Sequence, residues 1–169
     1  MKRIERLGVA FIAAGLLAAC DGGSTAEREA KIEREAAKYG VDADVTLDDD
    51  GEVKSVTLKN GATTVGSDIA LPDGFPKDIP IPASWNVMMT APVGEGYSLQ
   101  ALSDDSADGI VAAVRSGMEA NGWTEKEGRQ AAAMMRQLGF EKNDRLATFN
   151  VIPNGAGHAV QMATMKKPN

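Results

Sequence analysis

The chain has 169 residues, 43% of them apolar, 5% aromatic and 25% charged, with a single cysteine, a single histidine and a formal net charge of −6. The acidic balance argues against nucleic acid as a partner, because neutralising a phosphate backbone takes clustered Lys and Arg. One cysteine leaves no internal disulfide, so burial alone must hold the fold, and the length suits one main domain.

Lys2, Arg3 and Arg6 open the chain, residues 7–17 (LGVAFIAAGLL) form an apolar run, and Ala18 and Ala19 precede Cys20. A positive start, a short apolar stretch and small residues at its end are the three parts of a secretory signal. The run is too short to span a bilayer, which takes about 20 apolar residues across about 30 Å of hydrocarbon. Leu17-Ala18-Ala19-Cys20 resembles the lipobox of bacterial lipoproteins, a resemblance that covers residues 1–20 alone. It implies cleavage between Ala19 and Cys20, attachment of a diacylglycerol to Cys20, and acylation of the new amino terminus, with palmitate among the expected groups. Two or more acyl chains hold a protein stably on its membrane. Asp21 resembles the residue that retains lipoproteins in the inner membrane of some bacteria. The expected location is therefore the periplasmic side of the cell envelope, inner membrane favoured over outer. Loss of residues 1–19 removes Lys2, Arg3, Arg6 and Glu5, taking 18 basic and 24 acidic residues to 15 and 23, a formal charge of −8. Such a body is repelled by anionic headgroups, so the lipid must do the anchoring.

Residues 20–40 read as a lipidated polar helical tether. Ser24 and Glu27 fit a capping box, Glu27 and Lys31 are an i,i+4 pair, and Gly40 stops the helix. Ala26, Ala30, Ile32 and Ala36 make a thin apolar face, which predicts a solvated stalk. From Val41 the period becomes two, and residues 41–70 read as a β-hairpin with a short third strand at 62–65. The turn Asp48-Asp49-Asp50-Gly51 invites a calcium reading, but Thr46 and Thr57 stand where that loop needs carboxylates. Residues 71–82 (LPDGFPKDIPIP) hold four of the seven prolines and predict a stiff extended connector.

Residues 83–167 have the composition of an α+β domain. Strands are predicted at 85–90 and 97–103, then a helix on Ile110, Val111, Val114 and Met118 that ends at Asn121-Gly122. Residues 129–138 fit a helix or a strand running into Phe140, and 145–152 and 158–165 alternate as strands. The expected class is α+β: a small antiparallel sheet with one or two helices on one face, preceded by the polar helix and the hairpin.

No motif in this body demands a reaction. There is no G-x-S-x-G elbow and no glycine-rich phosphate cradle, and Cys20 is taken by lipid. His158 lies beside a Gly-rich turn, and Asp104, Asp105 and Asp108 precede or open a helix, where negative charge complements the helix dipole. Met88, Met89, Met118, Met134, Met135, Met162 and Met165, with His158, offer soft ligands for cuprous copper, yet methionine also fills irregular cores. Trp85, Trp123, Tyr97, Phe140 and Phe149 read as core rather than as a glycan platform. The expectation is a non-catalytic envelope lipoprotein, with no cofactor or metal, that serves as a small binding module for an envelope protein or ligand. An envelope enzyme using carboxylates, or a methionine-based copper carrier, is the competing reading.

Overall fold

Alternation sets the strands: in residues 43–47, Ala43, Val45 and Leu47 are buried while Asp44 and Thr46 face water, and the same period of two recurs in the longer strands that follow. The computed structural model describes residues 24–59, 62–126 and 135–167. In chain order its elements are α1 (Thr25–Lys38), β1 (Ala43–Leu47), β2 (Val53–Leu58), β3 (Thr63–Gly66), β4 (Asn86–Val93), β5 (Gly96–Ser103), α2 (Ala107–Ala120), β6 (Thr124–Lys126), β7 (Arg136–Lys142), β8 (Arg145–Asn154) and β9 (Gly157–Lys166). The strands form one nine-stranded sheet in the order β1-β2-β3-β4-β5-β9-β8-β7-β6, antiparallel at every pairing.

This corrects the expected α+β arrangement of a small sheet preceded by a hairpin. Among the described residues strand accounts for 46% and helix for 21%, so the fold is sheet-dominated, with two helices against one large sheet. The physical reason is an unpaired edge. A hairpin of β1 and β2 leaves one row of backbone groups on β2 open, and β3 fills it in register with Val56↔Val65 and Thr57↔Thr64. β3 then pairs with β4 through Thr64↔Thr90 and Val65↔Met89, which fuses the hairpin to the rest. Of the stretch 129–138, residues 129–134 lie outside the described residues, and Arg136 begins β7.

The core lies between α2 and one face of the sheet. Ser106 caps α2 by accepting from the Gly109 amide at 3.2 Å, and Gly122 ends the segment at φ +77, where an L side chain is strained. Ile110, Val114 and Met118, spaced on one helical stripe, pack with Leu99, Leu138, Phe140, Phe149, Val160 and Met162. Phe140 and Phe149 meet edge to face at 6.1 Å, and full burial of such a ring contributes about 2 to 3 kcal/mol. Residues 71–82 cross the same core, with Phe75 and Ile79 buried in it. Gly117 on α2 admits this crossing, since a Cβ there would sit 2.6 Å from Pro80 Cγ.

Both sheet edges are closed by side chains. α1 has its capping box, with Ser24 N donating to Glu27 Oε2 at 2.8 Å, and its half-buried strip of Glu29, Ile32, Glu33 and Ala36 lies along β1. Glu33 Oε1 accepts from Val45 N and Glu29 Oε1 from Leu47 N, each at 2.9 Å, so these two outward amides of β1 are already bonded. At the other edge β6 is three residues long, and Arg115 grips its Glu125 through two nitrogens.

Candidate functional site

Cys20, Ala19 and the rest of residues 1–23 lie outside the described residues. Among the described residues no helix is long and apolar enough to cross a membrane.

The chemistry-bearing residues of the body converge at one corner. β5 and β9 place Ser103 opposite His158, and the loop after β5 bends back over the turn that joins β8 and β9. His158 Nδ1 lies 2.9 Å from the Asp105 carbonyl oxygen; because that oxygen only accepts, Nδ1 carries the hydrogen. The Asp105 carboxylate accepts from Ser103 Oγ at 3.1 Å and Ser84 Oγ at 3.2 Å. The imidazole thus meets a backbone carbonyl, and the carboxylate meets two hydroxyls. A nucleophile, base and orienting acid in series require a different connectivity. Asp104 sits beside Gly157, whereas Asp108 points away to Arg136 at 3.5 Å with its side chain 89% exposed. The three aspartates therefore diverge, each with its own neighbour. What they build is a joint between β4, β5, α2 and β9.

The other sequence candidates are likewise engaged in structure. Asp48 Oδ1 accepts from the amides of Asp50 at 3.1 Å and Glu52 at 2.8 Å, a turn held by its own side chain, and Arg28 of α1 donates to Gly51 O at 3.0 Å. Met118 and Met162 are core residues, while Met165 is exposed on the opposite face of β9. His158 and Met162 share a face but stand about 13 Å apart along the strand, at about 3.3 Å per residue. Met134 lies outside the described residues. Among the described residues no group of three or more His, Cys, Asp or Glu side chains is placed to hold a metal ion.

A clasp at Asp78 joins segments too far apart in sequence to leave a local signal. Its Oδ2 accepts from Lys142 Nζ at 2.8 Å and its Oδ1 from Arg145 Nη1 at 3.1 Å, so residues 71–82 are tied to the β7–β8 hairpin. The Arg145 guanidinium, opposed by burial and aided by Lys142, holds the Asp78 carboxyl down to about 2. Arg145 also lies 4.9 Å over the Trp123 ring, and Trp123 Nε1 donates to Asp78 O at 2.9 Å. With every group paired, this is a fastening, and its residues converge on one another rather than on an open space.

Among the described residues one large surface is left without such internal employment: the sheet face opposite the core, across β4, β5, β9, β8 and β7. Register lines up Met89, Gln100, Gln161, Asn150 and Gln137 in one row, with Gln137 Nε2 donating to Asn150 Oδ1 at 3.0 Å. The next row is Ala91, Ser98, Ala163, Thr148 and Gly139, all small. On the outer sides lie Asn86, Leu102, Ala159 and Ile152, and Val93, Met165, Leu146 and the ion-paired Glu141. Val93 at 55%, Met165 at 48% and Leu102 at 36% exposure are among the most exposed large apolar residues described. No charged side chain interrupts the two central rows. Neither helix packs on them: α2 meets β6, β7 and β8 from the core side, and α1 meets β1.

No family model, no curated protein and no solved structure matches this chain.

Proposed function

We propose that the chain is a lipid-anchored lipoprotein of the bacterial cell envelope, held at the periplasmic side of a membrane through Cys20, and that its body is a non-catalytic binding module. The anchor rests on the resemblance of residues 17–20 to a lipobox, and Asp21 favours the inner membrane. The binding role rests on one observation. The histidine and aspartate side chains able to do chemistry are bonded within the scaffold, while a face spanning five strands, its two central rows free of charge, is left without a described neighbour. A folded chain that leaves this much neutral, partly apolar surface open is suited to contact another molecule.

The anchor is tested by mass spectrometry of the protein isolated from membranes: a diacylated Cys20 amino terminus is expected, and an intact leader or a bare thiol overturns it. The binding role is tested by a photo-crosslinking amino acid at Gln161 of the full chain in intact cells, with Ala112 on the exposed side of α2 as the comparison. A reproducible adduct from Gln161 alone is expected. Absence of any adduct, or identical adducts from both positions, overturns it.

A further inference from the structure

We infer that the open face of the sheet is an interface between two copies of this chain, packed face to face about a two-fold axis. The inference deepens the binding-module reading and rests on it.

Edge-to-edge association is disfavoured first. The Val45 and Leu47 amides on the outer edge of β1 are taken by Glu33 and Glu29, and β6 offers only three residues. What remains for a partner is the face. Electrostatics then narrows the choice. Two chains that each carry the −8 of residues 20–169 repel each other over most of their surfaces, and a face whose central rows are free of charge lowers that penalty where they touch. A basic partner would favour an acidic patch, yet the central rows carry none.

Shape decides the rest. The row Met89, Gln100, Gln161, Asn150, Gln137 is a ridge of long side chains, and the row Ala91, Ser98, Ala163, Thr148, Gly139 beside it is a trough. A Cβ added to Gly139 would meet nothing within 4 Å, so the trough is open at that end. A two-fold axis lying in the plane between two such sheets, midway between the rows, sets each ridge over the other copy's trough. Strand by strand the facing pairs are then Met89 over Ala91, Gln100 over Ser98, Gln161 over Ala163, Asn150 over Thr148 and Gln137 over Gly139. Each pair sets a longer side chain against a shorter one, which is the requirement for an interface that uses the same patch twice. The same operation lays Met165 over Ala159 and Leu146 over Ile152, apolar against apolar, and Val93 over Asn86, while Glu141 at the β7 end of that outer row keeps its own partners Lys126 and Lys167. Aligned sheets pack about 10 Å apart, and five strands by four rows span roughly 20 by 20 Å. The accessible surface of such a patch, on the order of 700 Å² per copy, approaches the roughly 800 Å² per partner of a standard specific interface. Tethering two copies to one membrane raises their effective concentration further.

The test uses the full chain in its own membranes. In the proposed dimer the two Ala163 Cα atoms lie about 12 Å apart, from the inter-sheet spacing and the one-row offset. Ala163→Cys treated with a short bismaleimide should give a product of twice the chain mass, and adding Gln100→Lys, which puts a charge into the interface, should abolish it. Ala112→Cys, on the exposed side of α2, should give none. Cooperative melting of each purified variant shows that it is folded. No doubled product from folded Ala163→Cys, or an equal product from Ala112→Cys, overturns the inference. If the Gln161 photo-probe captures only a different protein, the second copy is refuted while the binding module stands; if it captures nothing, both fail.

Discussion

Replacing Asp78 by Asn keeps the side chain's shape and removes its charge, which makes it the sharpest probe of how residues 71–82 are held. The carboxylate accepts from Lys142 Nζ at 2.8 Å and Arg145 Nη1 at 3.1 Å, with the Asp78, Lys142 and Arg145 side chains 23%, 26% and 34% exposed. Its pKa falls from 3.8 to about 2, chiefly through the Arg145 hydrogen bond. At about 1.4 kcal/mol per pKa unit that drop corresponds to about 2 kcal/mol of folding free energy, and the water that reaches all three side chains screens it to about 1 kcal/mol. Because the folded pKa lies below the unfolded one, the contribution is complete above pH 4 and disappears as the pH falls toward 2.

Urea unfolding followed by tryptophan fluorescence at pH 7, 5, 3 and 2 reads this directly, since Trp123 lies in the clasp. Asp78→Asn should lower stability by about 1 to 2 kcal/mol at pH 7, and the gap to the parent should close by pH 2. Glu141, whose pKa is also lowered, by Lys167 and then Lys126, is present in both proteins and cancels in the difference. A gap that stays constant with pH, or no gap at pH 7, refutes the assignment of Asp78 as an ionised clasp.

Three further perturbations address the rest of the fold. Phe149→Ala removes a fully buried ring that packs on Phe140 and should cost about 3 to 5 kcal/mol in urea unfolding; a loss below about 1 kcal/mol would contradict the core assignment. Gly96→Ala would put a Cβ 2.0 Å from Thr164 O, so it should destabilise the β5–β9 junction and speed hydrogen exchange at Tyr97 N, which donates to Thr164 Oγ1 at 2.9 Å. Glu29→Ala with Glu33→Ala should free the Val45 and Leu47 amides to exchange, at a cost of about 1 kcal/mol for each bond; Glu35→Ala, which loses only an exposed pair with Lys38, should leave them protected.

Most individual elements were readable because their signals are local. The capping box at Ser24 and Glu27, the alternation in residues 43–47 and 145–152, and the stripe through Ile110, Val114 and Met118 each arise within a few residues of one another, and each forms where the sequence places it. The size of the sheet was not readable, because it depends on β3, four residues long, meeting β4 across the proline-rich stretch through two residue pairs. A three-residue β6 is shorter than any useful period and is defined only by its partner β7. The Asp78 clasp joins positions 64 and 67 residues apart, a separation that leaves no local trace.

The same distinction governs the candidate sites. Residue types with reactive reputations stand out in the sequence, and His158, Asp105, Asp108, Met118 and Met162 each have a neighbour that accounts for them: a carbonyl, two hydroxyls, a salt-bridge arginine, an apolar core. Gln100, Gln161, Asn150 and Gln137 draw no attention singly, since an outward amide on a strand is ordinary. They become a feature only when the register of four strands sets them side by side, with a row of small residues next to them. A one-residue slip between any two of these strands would turn one amide into the core and break the row. The surface that sets this protein apart is therefore a property of strand pairing, and the sequence carries it only as four unremarked alternations.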